Sequence, residues 1–351
     1  MRKPKRAVAV GPVMLGGSHP VVVQSMTKTK THDVSRTIRQ IRRLERARCE
    51  IVRVAVVNRD DAAALKKIKQ STSIPLVADI HFDYRLALTA LDAGVDKIRI
   101  NPGNIGNARK IAAIIEKAQD KNVPIRVGVN SGSLPRHVLK KFKHPTAQAI
   151  VETVRQCLDT FRKHRFYDIV ISAKGVDVSS TIKAYTMIHR NFQYPLHLGI
   201  TEAGLPFRGG IKSAVGLGVL LYKGIGDTIR VSLTGDPVLE VIAAFEILHA
   251  LELRKEHPVL ISCPMCGRCE VALEKIARQV DQRLAQYNRY MKVAVMGCVV
   301  NGPGEAREAD FGIACGKHRG IIFAKGKELR RVRESQLVDT LFEVIDENIN
   351  H

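Results

Sequence analysis

The chain has 351 residues, 45% hydrophobic and 26% charged, with a formal net charge of +22. That length holds one large domain and a smaller one, in the composition range of a soluble globular protein. No apolar run is long enough to span a bilayer, and residues 7–17 are too short and glycine-rich for a secretory core, so a cytoplasmic protein is expected.

Short β-branched runs alternate with stretches of helical spacing. Strands are predicted at about 21–25, 51–57, 76–80, 97–101, 125–130, 168–173, 196–201 and 228–233, with helices such as 35–47, 59–70 and 107–120 between them. This alternation matches a (β/α)8 TIM barrel in strand number and length. An open doubly wound sheet is the other arrangement, but no G-x-G-x-x-G follows the first strand. After a helix at about 237–253, residues 254–258 read as a linker. They separate a barrel domain, residues 1–255, from a smaller α/β unit, residues 256–351. That unit is predicted to carry a helix at 269–287, strands at 292–296 and 320–324, and a closing helix at 335–348.

Several of the barrel strands carry an arginine inside an apolar run: Arg53, Arg99, Arg126 and Arg230. Barrel strands are buried on both faces, so each guanidinium needs a partner. Structural ion pairs are one answer. A shared anion is the other, because arginine offers phosphate oxygens two donors at once. Active sites of this fold lie at the carboxyl ends of the strands, where Asn101, Asn130, Lys174, Thr201, Glu202 and Ser232 fall. His81 ends the third predicted strand, and Asp79 shares its face.

The net charge also implies anionic company. Aromatics total only 5%, there is no tryptophan, and no basic run is interleaved with stacking residues, which argues against nucleic acid. Basic segments such as 39–48, 136–143 and 317–333 read as solvated surface or as a docking face for an acidic electron carrier.

In the smaller unit Cys263-Pro-Met-Cys266 is followed by Cys298-Val-Val-Asn-Gly-Pro-Gly-Glu305. Thiolates at C-x2-C spacing face one centre, which is structural zinc or an iron–sulfur cluster on spacing alone. Cys269 extends the first pair to C-x2-C-x2-C, which would make Cys298 a fourth ligand and Glu305 a bystander. Cys49, Cys157 and Cys315 read as ordinary buried thiols.

These segments carry a resemblance. Val23-Gln-Ser-Met-Thr27, Ala78-Asp-Ile-His-Phe82, Arg99-Ile-Asn-Pro-Gly103, Val127-Gly-Val-Asn-Ser-Gly132, Leu196-His-Leu-Gly-Ile-Thr-Glu-Ala-Gly204 and the run from Cys298 to Glu305 occur in this order. Together they resemble the 4-hydroxy-3-methylbut-2-enyl diphosphate synthase family in its short two-domain form. The resemblance implies a barrel that binds 2-C-methyl-D-erythritol 2,4-cyclodiphosphate. It also implies a C-terminal domain, similar to a module of sulfite and nitrite reductases, with a 4Fe–4S cluster on Cys263, Cys266, Cys298 and Glu305. Substrate would be held by Arg53, Arg99, Arg126, Asn130, Lys174, Thr201, Arg230 and Ser232, with Glu202 beside the reacting carbons. Electrons would come from a flavodoxin or ferredoxin. The family forms homodimers in which one subunit's cluster domain caps the other's barrel. Cys269 lies outside this ligand set.

Overall fold

The computed structural model describes residues 5–175, 177–269, 271–298 and 308–349. The chain divides into two units between Arg254 and Lys255.

In the first unit a hairpin of β1 (Val8–Val10) and β2 (Val13–Leu15) precedes eight barrel strands. These are β3 (Val22–Met26), β4 (Ile51–Val56), β5 (Leu76–Ile80), β6 (Lys97–Ile100), β7 (Ile125–Asn130), β8 (Ile169–Lys174), β9 (His197–Leu198) and β10 (Thr228–Ile229). They pair in parallel in the order β8-β7-β6-β5-β4-β3-β10-β9, and a bridge between Ile171 and Leu196 brings the ends of the sheet together. The predicted TIM barrel is the observed fold. Its connecting loops end in short polar residues whose side chains accept from the first helical turn: Asp33 from Arg36 N–H, Asn58 from Asp61, Asn107 from Lys110 and Asp177 from Ser180. Such caps fix where each helix starts and so where each strand end opens.

The hairpin seals one end of the barrel. Val8, Val10 and Leu15 pack on Val22, Ile51, Val77 and Val170, which lie early in β3, β4, β5 and β8. Gly11 takes a φ of +55° at its turn, the conformation that favours glycine. The carboxyl ends of the strands are left as the open end.

Two expectations are corrected. The last two barrel strands are far shorter than predicted, because the chain leaves the ladder at Gly199 and Arg230. The helix predicted at 269–287 runs from Leu273 to Leu284; Cys269 lies in a turn before it and donates its N–H to the Cys266 carbonyl. The division of the chain falls within residues 254–258, where Arg254 is tied to the barrel, bonding the Val21 carbonyl at 2.7 Å and Glu50 at 3.0 Å.

The second unit is a mixed five-stranded sheet in the order β11 (Val259–Ser262), β12 (Lys292–Met296), β13 (Phe311–Gly316), β14 (Arg319–Ala324), β15 (Lys327–Arg333). The first three strands are parallel and the last two antiparallel. Helices Leu273–Leu284 and Leu337–Ile349 bury Ile276, Val280, Leu341 and Ile345 with Val293, Val295 and Ile313 of the sheet. No helix among the described residues is long and apolar enough to cross a membrane.

The hairpin seal carries a prediction. Leu15→Ala removes a fully buried side chain from the floor and should cost about 3 kcal/mol in denaturant unfolding. A change under about 1 kcal/mol would show that the hairpin does not hold the floor.

Candidate active site

Alternate residues of a barrel strand face inward, and here they bring charge with them. Arg53 of β4, Asp79 of β5, Lys97 and Arg99 of β6 and Arg126 of β7 are all buried. Asp79 joins them: its Oδ1 accepts from Arg99 Nη1 at 3.0 Å, and its Oδ2 lies 3.6 Å from Arg53 Nε. Arg99 Nη1 also lies 2.8 Å from His81 Nε2. A guanidinium only donates, so that ring nitrogen is the acceptor. Arg53 turns two nitrogens onto the Met26 sulfur at 3.1 and 3.0 Å. Arg230 approaches the same sulfur at 3.5 Å and donates to Glu240 Oε2 at 3.4 Å.

The electrostatics follow from the crowding of cations. Burial would raise the Asp79 carboxyl, but Arg53 and Arg99 outweigh it and hold it well below the usual carboxylate range. Burial pushes Arg53 down to about 9 despite Asp79. Lys174, at the end of β8, is held well below the lysine range by burial and then by Arg53 and Arg230. Donors remain: Arg126 Nε and Nη1, Arg99 Nε, Arg230 Nε and the Ser232 hydroxyl are buried without a hydrogen-bond partner. A buried donor left unpaired costs about 1–3 kcal/mol. Several of them converging in one interior suit an anion rich in oxygen acceptors.

The structure therefore gathers Arg53, Arg99, Arg126 and Arg230 in one interior, with Lys174 electrostatically coupled to them. Asn130 ends β7 half-buried. Thr201 and Glu202 follow β9, and Glu202 is exposed with a left-handed φ of +54°. That conformation is sparsely populated for residues other than glycine. Asn101 is a helix cap instead, accepting from Gly103 N–H and donating to Ser133 Oγ at 2.7 Å. Residues not foreseen also belong here: Met26 as an acceptor, Lys97 deep in the interior, and Gly128. A Cβ on Gly128 would lie 2.8 Å from Arg99 Nε, so only glycine lets that guanidinium lie across β7.

In the second unit, β11 and β12 are parallel neighbours with Ser262 opposite Val295. Cys263 and Cys298 therefore follow the carboxyl ends of adjacent strands, and Cys263 donates its N–H to the Val295 carbonyl. Cys266 is exposed, and hydrogen bonds from the Arg268 backbone and then its guanidinium hold its thiol below the usual range. The Cys269 and Cys263 sulfurs stand 2.9 and 3.4 Å from where a Cβ on Gly297 would lie. Glu305 lies outside the described residues. Among those described, no three donors are already drawn together at metal-holding distance. The donor set is nonetheless sulfur, which soft metal centres favour, on strand ends that present it from one edge. Cys49, Cys157 and Cys315 are thiols that burial pushes up to about 12, as inert core residues should be.

A parallel barrel with buried arginines, joined in one chain to a thiol-bearing α/β domain, defines the class of protein. Residues 5–245 match the family model described as the GcpE TIM-barrel domain, and residues 259–347 match the GcpE protein C-terminal domain. The chain belongs to the GcpE family. A protein of Nitratidesulfovibrio vulgaris named 4-hydroxy-3-methylbut-2-en-1-yl diphosphate synthase (flavodoxin) is 53% identical, covering 100% of this chain and 91% of that one. Proteins of the same name from Geobacillus kaustophilus (53% identical, 98% and 92% covered) and Clostridium perfringens (52% identical, 98% and 99% covered) are similarly related. Among solved structures, the N-acetylneuraminic acid (sialic acid) synthetase of Leptospira borgpetersenii matches with a TM-score of 0.51. That match has 11% identity over 82% of this chain and 100% of that one, a likeness of fold alone. Nothing in these relatives supports reading the net charge of the chain as a nucleic-acid-binding surface.

Two predictions follow from the barrel interior. Gly128→Ala should displace Arg99 and weaken pyrophosphate binding at least tenfold in titration calorimetry while the protein stays folded; unchanged affinity would remove Arg99 from the anion site. Asp79→Asn should cost about 3 kcal/mol at pH 7, because it leaves buried guanidinium groups unpaired. The folded-state carboxyl is depressed, so the stability it contributes is full above the unfolded value of about 3.9 and fades as pH falls below it. Unfolding curves of wild type and variant should therefore converge only below about pH 4. A gap of the same size at every pH would contradict the ion-pair account.

Proposed function

We propose that this chain reduces 2-C-methyl-D-erythritol 2,4-cyclodiphosphate to (E)-4-hydroxy-3-methylbut-2-enyl diphosphate and water, a step of non-mevalonate isoprenoid biosynthesis. The observation that carries the reading is the inward set of arginines in a chain 53% identical, over its full length, to a relative named for making that diphosphate. The reaction takes up two electrons, opens the ring at a carbon–oxygen bond to phosphate and expels the C3 hydroxyl as water.

Arg53, Arg99, Arg126 and Arg230 hold the cyclic diphosphate through paired donors, with Lys174 beside them. Asn130, Thr201 and Ser232 orient the sugar-derived carbons from the strand ends. As the ring opens, the departing phosphate oxygen gains charge, and the same cations stabilise it without having to reorganise. Glu202, raised on its left-handed turn, delivers the proton that turns the leaving hydroxyl into water. The floor hairpin keeps water from the blind end of the barrel.

The C-terminal domain is read as an iron–sulfur module of the sulfite and nitrite reductase type. Cys263, Cys266, Cys298 and Glu305 would hold a 4Fe–4S cluster, which supplies single-electron relay and one iron free of thiolate. The electron donor is a flavodoxin or a ferredoxin, the first being the donor named for the relatives. The enzyme acts in the cytoplasm as a homodimer. Support for the dimer comes from Phe207, Ile211, Val215 and Val219, exposed at every fourth position of helix Pro206–Tyr222. Ile211→Glu should shift the dimer to monomer in analytical ultracentrifugation; a wild type that is already monomeric would remove this part of the reading.

The decisive test is anaerobic isolation with metal and sulfide analysis, then turnover with a one-electron donor. About four irons and four sulfides per chain and formation of the open diphosphate are expected. Glu305→Ala should keep the colour and lose turnover. A colourless protein with about one zinc would overturn the redox reading.

A further inference from the structure

Lys97 stands apart from the groups assigned above. It is the first residue of β6 and shares the inward parity of Arg99. Its side chain is wholly buried, and its amine has no hydrogen-bond partner. It lies in register with Val77, part of the apolar floor, which pairs on its other side with Arg53, so it sits at the edge of that floor, one inward position before Arg99. The groups acting on it come from every side. Burial disfavours its charge most, Arg126 of β7 and Arg53 of β4 add to that, and Asp96, the preceding residue, favours it. Asp96 is already held by the Lys69 amine and the Leu76 N–H. Arg99 shares the strand, Asp79 of β5 is taken up by Arg99 and Arg53, Lys174 ends β8, and His197 of β9 is itself pressed toward its neutral form by burial, Arg126 and Lys97.

An ammonium ion in that place would be an unpaired charge among cations, in a dry interior. Arginine keeps its proton in proteins, so lysine is the group that yields. We infer, resting on the reading of the barrel as a diphosphate site, that Lys97 is a proton reserve: neutral in the empty barrel, it takes up a proton from solvent when the diphosphate arrives. The added charge then matches a ligand that grows more anionic as its cyclic ester opens. Lys97 touches none of the reacting atoms on this account. It is a positioning residue that acts through the field of Arg126 and Arg53.

The linkage has a definite sign. A lysine neutral in the fold and charged when unfolded destabilises the protein below its unfolded value of about 10.4, and the penalty fades as pH rises toward it. Lys97→Met, nearly isosteric and without the amine, should therefore raise the melting temperature, with the gain shrinking from pH 7 to pH 10.

The test is calorimetric titration of the holoenzyme, without reductant, with 2-C-methyl-D-erythritol 2,4-cyclodiphosphate in buffers of different ionisation enthalpy at pH 8. This ligand has no phosphate that titrates near neutrality, so protons exchanged belong to the protein. Wild type should show net proton uptake, and Lys97→Met should lose part of it and bind about five- to tenfold more weakly at that pH. Binding with the same proton count in wild type and variant would overturn the inference and leave the site reading intact. Failure of wild type to bind would overturn both.

Discussion

The barrel interior contains more positive charge than it can neutralise, and the rest of the first unit is arranged around that imbalance. Arg53, Arg99, Arg126 and Arg230 are set against Asp79 and Glu240, and burial together with that excess presses Lys97 and Lys174 toward their neutral forms. Glu240 is shared further with Lys28 and the Ser25 hydroxyl. Like charges held close in a medium of low polarity repel strongly, so each cation needs a specific excuse. Asp79 serves two arginines, the Met26 sulfur takes donors from two, and Gly128 leaves open the path that Arg99 follows. Once those acceptors are engaged, donors remain. That surplus makes the interior a place for an anion; an interior with every donor satisfied would have had nothing to offer one.

Both units apply one geometric rule. Parallel strands end together, so residues just past their carboxyl ends converge from positions distant in sequence. In the barrel this brings Asn130, Lys174, Thr201 and Ser232 to the open end. In the second unit it brings Cys263 and Cys298 to neighbouring strand ends, although thirty-odd residues separate them in the chain. The antiparallel strands β14 and β15 extend that sheet away from the thiols and bear the basic segment of residues 317–333. Arg330 and Arg331 there pair with Glu343, Glu347 and Glu328, as a solvated face would.

Much of this could be read from the chain. A strand with an arginine in an apolar run betrays a buried charge, and four such strands betray a shared purpose; the structure adds that Arg53, Arg99 and Arg126 are buried on the inward parity of their strands. Lys97 obeys the same parity, yet at the start of a strand a lysine reads as a solvated terminus, and only the sealed floor changes that. The seal itself was illegible. Residues 7–17 form strands of three residues, too short for any period to register. Their role depends on Val22, Ile51, Val77 and Val170, which come together only when the barrel closes. Met26 was equally hidden, because a thioether in a strand reads as core until two guanidinium groups are seen to turn toward it. The early start assigned to the cysteine helix came from helical spacing that ignored the turn, closed by the Cys269 N–H, ahead of Leu273.

An interior of this kind trades stability for affinity. Replacing its unpaired donors by apolar groups of similar volume would stabilise the fold, since buried charge is weak support for it; a ligand that satisfies those donors does the same reversibly, by mass action. On the proposed reading the empty barrel is the strained state and the occupied barrel the relaxed one. The apolar floor makes the difference large. By excluding water from the blind end, it leaves the cations no other source of acceptors and keeps their field from being screened. The hairpin that forms it contributes no chemical group, yet it closes the end from which water would otherwise reach those cations.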